Sequence, residues 1–165
     1  MALPVNKSDR NYYIEVPRPR VLATGVFDVF HAGHMDYLRF SEHLGSLYVG
    51  LWSDEMTRRL KGPTRPLNSI EARMGLIRVL GIATECFVMP DADSKKESIE
   101  QVIQTMEPNF LTVSSEGSYV NGQKIVLPHG IGNTCTVVLD QGYRDKIYSS
   151  SFVHDKLADA PPQAA

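Results

Sequence analysis

A short apolar segment, residues 21–24, runs directly into a turn and then into a stretch where His31 and His34 flank Gly33. The apolar segment is typical of a buried strand, and the residues after it indicate a tight connection to a helix that begins near the histidines. A helix N-terminus favours anions, and the missing side chain of Gly33 lets a bulky anion approach the main chain. Because His31 and His34 are three residues apart, both can face that anion. This segment therefore predicts a phosphate site.

The H-x-x-H spacing is also compatible with a pair of metal ligands. A protein metal site needs at least a third ligand. The other histidines, His43, His129 and His154, show no second paired spacing. A pair of metal ligands would also not explain why a glycine stands at position 33. The sequence therefore favours phosphate binding and predicts no metal ligands.

Residues 24–34, Thr-Gly-Val-Phe-Asp-Val-Phe-His-Ala-Gly-His, resemble the T/G-x-F-D-x-x-H-x-G-H signature of the cytidylyltransferase-like nucleotidyltransferases. Members of that family transfer a nucleotide from ATP or CTP to a phosphorylated substrate. The resemblance implies that His31 and His34 are catalytic, and that further matched positions bind nucleotide: Thr24, Gly25, Phe27, Asp28 and Gly33. On local chemistry alone, Asp28 fixes the turn by accepting hydrogen bonds from nearby backbone N–H groups, with metal binding as the alternative.

Length and charge narrow the class of protein. The 165 residues suffice for one domain with a sizeable core. The net charge of −2 argues against general nucleic-acid binding, and no apolar run is long enough to span a membrane. Residues 1–20 lack the apolar core of a secretory signal, so we expect a cytoplasmic protein. The predicted organisation is an extension at 1–20, a nucleotidyltransferase domain at 21–157 and a flexible tail at 158–165.

Strand-like apolar runs alternate with segments of helical period, which predicts a Rossmann-like α/β fold: a five-stranded parallel sheet with helices on both faces. The strands are predicted at residues 21–24, 47–51, 86–89, 110–113 and 136–139. Helices are predicted to begin near His34, after an Asn68 cap and after a Ser94 cap, with a charged loop through Pro66. Ligands of such sheets bind at the carboxyl ends of strands, near the switch in strand order, which locates the site after the first strand.

Four cations lie within eight residues of a chain that is otherwise slightly acidic: Arg58, Arg59, Lys61 and Arg65. A charge run is often a solvated surface, and this interpretation stays open for Arg58 and Arg59. Lys61 differs because Gly62 and Pro63 interrupt a helix directly after it, leaving its ammonium on a loop that can fold over a triphosphate.

This region, with its Glu71-x-Arg73, resembles the K-G-x-x-R-P…E-x-R run of the bacterial heptose-phosphate adenylyltransferases. Cytidylyltransferases for glycerol phosphate share the lysine and E-x-R more loosely. The resemblance implies that Lys61 and Arg73 contact phosphates, and Arg65 belongs to the same predicted binding run. Lys61 would neutralise the β- and γ-phosphates of the triphosphate.

Residues 144–151 resemble the family's R-T-E-G-I-S-T-T ending. Arg144 matches the family arginine, a second catalytic cation, while Ser149 and Ser150 match hydroxyls at the start of a last helix. A plain helix cap is the alternative for Ser149. Residues 114–128 depart from the family's glycine-rich segment, and Asn121-Gly122 predicts a small hairpin there.

Together these motifs imply nucleotidyl transfer, with AMP favoured, onto a sugar phosphate or polyol phosphate. A cytidylyltransferase that uses glycerol 3-phosphate and a non-catalytic nucleotide-binding regulator are the alternatives. Mg²⁺ is expected to travel with the nucleoside triphosphate, because no all-protein cage is visible. The expected partners are these two small molecules and, from the family resemblance, a second copy in a homodimer.

Overall fold

The computed structural model describes residues 18–114, 119–120, 123–124 and 136–140. Its helices are α1 (Ala32–Leu44), α2 (Asp54–Lys61), α3 (Ile70–Leu80) and α4 (Lys95–Met106). Its strands are β1 (Arg20–Gly25), β2 (Ser46–Leu51), β3 (Glu85–Val88), β4 (Phe110–Ser114), β5 (Tyr119–Val120), β6 (Gln123–Lys124) and β7 (Thr136–Asp140). Within these residues, no helix combines the length and apolar composition that a bilayer crossing requires.

One sheet has the strand order β3-β2-β1-β4-β7, and all of its neighbouring strands are parallel. The predicted parallel α/β class is confirmed. β5 and β6 form a separate antiparallel pair with Val120 opposite Gln123, as the hairpin prediction requires, although residues 121–122 lie outside the described residues. The chain passes from β1 to β3 on one side of β1 and then returns to β4 on its other side. The switch in strand order is therefore between β1 and β4.

Helices cover both faces of the sheet because the side chains of β1 alternate between two cores. Val21 and Ala23 pack in a core with residues of α1 and α3, whereas Leu22 packs in a second core with residues of α2 and α4. A buried polar network fixes α1 on β4: the Tyr37 hydroxyl donates to the Thr112 carbonyl oxygen at 2.8 Å, and Ser41 Oγ lies 2.8 Å from Thr112 Oγ1. This network sets the position of the helix that carries the histidines.

Two local predictions are wrong. Residues 54–61, predicted as part of a charged loop, form α2, since Ser53 caps the helix and Met56 and Thr57 are buried against the sheet. The cap of α3 is Ser69 rather than Asn68, whose backbone and side-chain N–H groups donate to Asp28 instead. The predicted Ser94 cap of α4 is confirmed, because Ser94 Oγ accepts the Glu97 N–H at 3.2 Å.

Candidate active site

The start of α1 differs from the starts of the other described helices. His31 occupies its N-cap position with extended backbone (φ −143°, ψ 174°), and the side chain makes no capping hydrogen bond. Serine side chains cap α2, α3 and α4: Ser53, Ser69 and Ser94. The first turn of α1 also contains no acidic residue. The His34 N–H donates to the His31 carbonyl oxygen at 3.0 Å, while the Ala32 and Gly33 N–H groups have no partner within the described residues. These two N–H groups and the helix dipole are therefore left for an anion from outside the chain.

The imidazoles of His31 and His34 stack on one another, with ring centroids 3.8 Å apart and ring planes inclined by 22°. Phe27 contacts the His34 ring edge to face at 5.3 Å. The Nδ1 atoms of both histidines are buried and have no hydrogen-bond partner within the described residues. Leaving a buried polar atom without a hydrogen-bond partner costs about 1–3 kcal/mol. The arrangement of the two histidines is therefore typical of a site at which a bound ligand supplies the missing partners.

Two glycines make this packing possible. A β-carbon on Gly25 would lie 2.7 Å from the Phe27 ring, and one on Gly33 would lie 3.2 Å from the His31 ring. At the first distance a side chain would force the Phe27 ring to shift, and at the second a methyl group would be crowded. The sequence predicts anion access at Gly33, and the structure adds that this glycine makes room for the His31 imidazole.

Both histidines are neutral near pH 7. Burial lowers the pKa of His34 to about 3, and the charges of His31 and Lys61 act in the same direction against a smaller opposite effect of Asp28. Burial and then Lys61 also lower the pKa of His31. A neutral imidazole has one N–H to donate and one nitrogen to accept. A bound phosphate favours the protonated form and would raise both pKa values.

The Asp28 carboxylate joins the loop after β1 to the loop after α2. It accepts the Leu67 N–H at 2.8 Å and two N–H groups of Asn68, each at 3.0 Å. Arg65, itself buried, lies 3.9 Å from the carboxylate. Burial alone raises the pKa of Asp28, but these hydrogen bonds and the Arg65 charge outweigh burial, so the pKa lies below its ordinary value. The predicted bonds to backbone N–H groups thus come from a distant loop, not from the same turn.

Backbone strain marks the same loop. Phe27 (φ 52°) and Val29 (φ 46°), on either side of Asp28, adopt the left-handed conformation although neither is a glycine. Such residues cost about 1–3 kcal/mol each and persist where surrounding contacts hold them. The hydrogen bonds of Asp28 supply such contacts, so its carboxylate positions the connection between β1 and the histidines.

The Arg73 guanidinium is buried beneath the site, with 2% of the residue exposed. Nη1 donates to the carbonyl oxygens of Val26 (2.7 Å) and Trp52 (3.0 Å), which follow β1 and β2. Nε donates to the Asn68 carbonyl oxygen at 3.0 Å, and Nη2 donates to Asp54 at 2.5 Å. Every nitrogen of the guanidinium thus donates to an oxygen of the protein. The resemblance, by contrast, implies that Arg73 contacts a phosphate. Together, Asp28, Asn68 and Arg73 form what we call the polar frame.

Lys61 lies at the end of α2 as an exposed residue, without an ion pair or hydrogen bond within the described residues. Partial loss of hydration lowers the pKa of its ammonium, and the charges of Lys95 and Arg65 lower that pKa further. Lys61 in turn lowers the pKa of both His31 and His34. This electrostatic proximity supports the predicted association of Lys61 with the histidines.

The remaining predicted residues have different surroundings. Thr24 and Gly25 are the last two residues of β1 and directly precede the loop that leads to the histidines. Arg58 pairs with Glu55 at 3.3 Å on the surface, in agreement with a solvated face. Three predicted site residues lie outside the described residues: Arg144, Ser149 and Ser150.

Two residues near the site were not predicted from the sequence. Asn68 resembles an ordinary helix cap, and asparagine and serine are equally good caps, so its bonds to Asp28 leave no sequence signal. Lys95 does leave a signal, because it is the first residue of α4 and the helix dipole disfavours a cation there.

Known proteins resemble this chain in sequence. A family model described as cytidylyltransferase-like matches residues 22–127, more than half of the chain. Bifunctional protein HldE of Blochmanniella floridana is 36% identical over 145 residues, which cover 82% of this chain and 29% of that protein. Bifunctional protein HldE of Aeromonas hydrophila is 42% identical over 92 residues, which cover 55% of this chain and 18% of that protein. The chain thus spans less than a third of the length of these relatives.

A solved structure also matches. It is described as the lipopolysaccharide core biosynthesis protein from Thermoplasma volcanium, and it superposes with a TM-score of 0.64 at 26% sequence identity. The match covers 76% of this chain and 98% of that chain. The fold described above therefore also occurs as nearly the whole of a small protein chain.

Proposed function

Because the chain belongs to the cytidylyltransferase-like family of nucleotidyltransferases, we propose that it transfers a nucleotide from a nucleoside triphosphate to a sugar phosphate or polyol phosphate. One observation carries the proposal. At the uncapped start of α1, two stacked imidazoles have buried nitrogens that find no partner within the described residues. A phosphate would supply the acceptor for these groups and the anion that this helix end favours.

In the proposed reaction, an oxygen of the acceptor phosphate attacks the α-phosphorus of the triphosphate in line. A new P–O bond forms, the bond from the α-phosphorus to the oxygen bridging to the β-phosphate breaks, and pyrophosphate leaves with that electron pair. The acceptor phosphate is already an anion, so no covalent enzyme intermediate is required. The protein holds two anions in line and stabilises the charge that accumulates on the α-phosphate.

In this mechanism His31 and His34 donate hydrogen bonds to oxygens of the α-phosphate. Lys61 and Arg144 neutralise the β- and γ-phosphates, and Thr24 orients the chain beneath them. Within the described residues, no group of three or more His, Cys, Asp or Glu side chains could hold a metal ion. We propose that Mg²⁺ enters as the counter-ion of the triphosphate substrate, because Mg²⁺ commonly binds through substrate phosphates.

We favour ATP as the nucleotide donor. The Lys61-Gly62…Arg65-Pro66 run with Glu71-x-Arg73 resembles the heptose-phosphate adenylyltransferases. The description of the similar solved structure, a lipopolysaccharide core biosynthesis protein, fits a sugar-phosphate acceptor. The base must be recognised by hydrogen bonds to its edge, and the residues after β4 that would do so depart from the family pattern. CTP with glycerol 3-phosphate is therefore the alternative pair of substrates.

The test is pyrophosphate release from ATP, CTP, GTP and UTP, each assayed with Mg²⁺ against a panel of phosphorylated sugars and polyols. Release with ATP and a sugar phosphate is the expected result. Release with CTP alone, or clearly tighter calorimetric binding of CTP, would overturn the adenylyltransferase assignment and keep nucleotidyl transfer. Binding of nucleotide without release in any combination would make the protein a non-catalytic regulator.

A cytoplasmic homodimer completes the proposal and rests on the family resemblance. Light scattering of the purified chain measures its mass directly, and twice 18.4 kDa is the expected value. A mass of one chain at working concentration would contradict the dimer and leave the proposed reaction untouched.

A further inference from the structure

Thr57 lies in the middle of α2 and is completely buried. Its hydroxyl oxygen has no hydrogen-bond partner within the described residues, and the same holds for the Nδ1 atoms of His31 and His34 and for one carboxylate oxygen of Glu100. That oxygen of Glu100 still faces the Lys96 ammonium at 3.7 Å. Among the described residues outside the histidine pair, Thr57 therefore stands out as a buried polar side chain with neither a hydrogen bond nor an ion pair.

The Thr57 hydroxyl leaves an available internal partner unused. A hydroxyl inside a helix can donate to the carbonyl oxygen four residues earlier. Ser41 makes this bond in α1 at 2.8 Å, and Thr105 makes it in α4 at 2.9 Å. In α2, the Ser53 carbonyl oxygen accepts the backbone N–H of Thr57 at 2.9 Å but not its hydroxyl. The hydroxyl thus keeps its donor and acceptor capacity free of the helix.

Thr57 lies on the face of α2 that connects the polar frame to the histidines. Residues three and four apart share one face of a helix, which places Asp54, Thr57 and Lys61 in one row. At one end of the row, Asp54 accepts a hydrogen bond from Arg73 of the polar frame. At the other end, the charge of Lys61 lowers the pKa of both site histidines. The unpartnered hydroxyl is therefore one helical turn away from a cation of the candidate active site.

We propose that the Thr57 hydroxyl binds a hydroxyl group of the sugar phosphate or polyol phosphate acceptor. This inference rests on the proposed function and concerns a residue that none of the motifs includes. A nucleotide of this fold class binds at the switch in strand order between β1 and β4, whereas α2 follows β2 on the opposite side of β1. The acceptor is the substrate left for that side. A threonine hydroxyl donates and accepts, which matches a neutral hydroxyl, while phosphate oxygens bind charged donors more strongly.

Lys61 provides the way in which a buried hydroxyl reaches a ligand. A long side chain on a helix leans toward the N-terminus and covers the turn before its own Cα. In α2, that turn contains Thr57, four residues before Lys61. In the proposed complex the Lys61 ammonium turns to a phosphate, and the space above Thr57 opens to the acceptor.

Steady-state kinetics of Thr57→Val tests this contact, because valine keeps nearly the same shape and removes the hydroxyl. The KM for the acceptor should rise about tenfold, since an acceptor hydroxyl loses its partner, and the KM for the triphosphate should not change. Thr57→Ser keeps a hydroxyl and should recover most of the loss. Thr105→Val is the matched control: the Thr105 hydroxyl already donates within α4, so neither KM should change.

Thermal unfolding without ligands separates a ligand contact from a structural role. Replacing a buried hydroxyl that has no partner by a methyl group removes a desolvation cost, so the Tm of Thr57→Val should equal or exceed that of wild type. A lower Tm with equal rises in both KM values would assign Thr57 to the fold and overturn the proposal. An unchanged KM for the acceptor, or a rise confined to the triphosphate, would overturn it as well.

Binding without turnover separates this contact from the proposed function. Calorimetric titrations use inorganic phosphate and the panel of phosphorylated sugars and polyols, in the absence of triphosphate. Thr57→Val should bind inorganic phosphate as wild type does and bind the tightest compound of the panel more weakly. If wild type releases no pyrophosphate but shows this difference, the contact holds and the reaction does not. If wild type binds no compound of the panel more tightly than inorganic phosphate, the contact with an acceptor hydroxyl is excluded.

Discussion

The start of α1 and the polar frame lie side by side but have opposite hydrogen-bonding states. In the polar frame, the Asp28 carboxylate accepts three hydrogen bonds, and every nitrogen of the Arg73 guanidinium donates to an oxygen of the protein. At the start of α1, His31 and His34 keep buried Nδ1 atoms that have no described partner. Buried polar groups whose hydrogen bonds are all made within the protein hold the folded geometry in place. Buried groups without a partner can still form a hydrogen bond with a ligand.

This difference separates two kinds of residue that one motif places together. Asp28 belongs to the same short signature as the two histidines, yet its contacts are internal to the chain. The frame joins the ends of β1 and β2 to the loop that carries Arg65. The imidazoles of His31 and His34 can therefore be rigidly placed although their Nδ1 atoms have no partner within the described residues, as preorganised donors require.

Arg73→Ala should have the largest effect, because it removes the buried member of an ion pair and leaves Asp54 and two strand-end carbonyls without their donor. The expected loss is about 3–5 kcal/mol in the free energy of unfolding. Urea unfolding followed by circular dichroism measures this loss. Arg78→Ala, on the exposed side of the same helix, is the control and should stay within about 0.5 kcal/mol of wild type.

The alternative for Arg73 is the direct phosphate contact that the resemblance implies. In that case Arg73→Ala would unfold at the wild-type urea concentration and lose affinity for the triphosphate. Arg73→Lys gives a further test, because an ammonium cannot reproduce the fork of donors that reaches Val26, Trp52 and Asn68. We expect Arg73→Lys to be destabilised nearly as much as Arg73→Ala.

His34→Ala and His31→Ala should show the reverse pattern, with large losses of turnover and little loss of stability. Removing one preorganised donor to a developing oxyanion typically lowers kcat by about 10²–10³. Single-turnover pyrophosphate release measures the rate, and thermal unfolding checks the fold. His43→Ala is the control because His43 is exposed near the other end of α1. A folded histidine variant with near-wild-type release would contradict the central assignment.

Acid should destabilise the free protein through the histidines first. The folded-state pKa of His34 is about 3, below the ordinary value of 6.5, so the unfolded chain binds more protons between these values. Stability contributed by neutral His34 is therefore complete above about pH 6.5 and is lost as the pH falls toward 3. Thermal unfolding from pH 7 to 4.5 should show a smaller decrease in His34→Ala than in wild type.

Two controls assign this pH dependence. Asp28 also has a lowered pKa, but its contribution is lost only as the pH falls below its ordinary value of 3.8, outside the measured range. His43→Ala should follow the wild-type curve. Identical slopes for wild type and His34→Ala between pH 7 and 4.5 would show that His34 is not held neutral in the folded protein.

Much of the fold could be predicted from the sequence because buried strands and amphipathic helices leave local patterns. The strands of the main sheet were located to within about a residue, and the helix that ends at Gly45 was recognised from its apolar spacing. α2 was missed because its eight residues include three cations and bury only Met56 and Thr57, so the charge run concealed the helix.

The candidate site was predictable only where its residues are close in sequence. His31, Gly33 and His34 form a local pattern, and the structure brings their groups together. The contacts of Arg73 join residues that are 21 and 47 positions away, and no spacing in the sequence indicates such pairs. The motif identified Arg73 and implies a phosphate contact for it, which stays a prediction, whereas its contacts within the polar frame are seen only in the structure.

The smallest predicted effect concerns the two cations that the proposed mechanism assigns to the triphosphate. Lys61→Ala and Arg144→Ala should each raise the KM for the triphosphate about tenfold, and more than they raise the KM for the acceptor, because both are proposed to neutralise the leaving pyrophosphate. Arg58→Ala is the control, since Arg58 already pairs with Glu55 on the surface. Added salt should weaken triphosphate binding less in Lys61→Ala than in wild type, because one charge pair is gone. Equal effects on both substrates, or none, would leave the histidines and the helix start as the whole phosphate site and remove Lys61 from it.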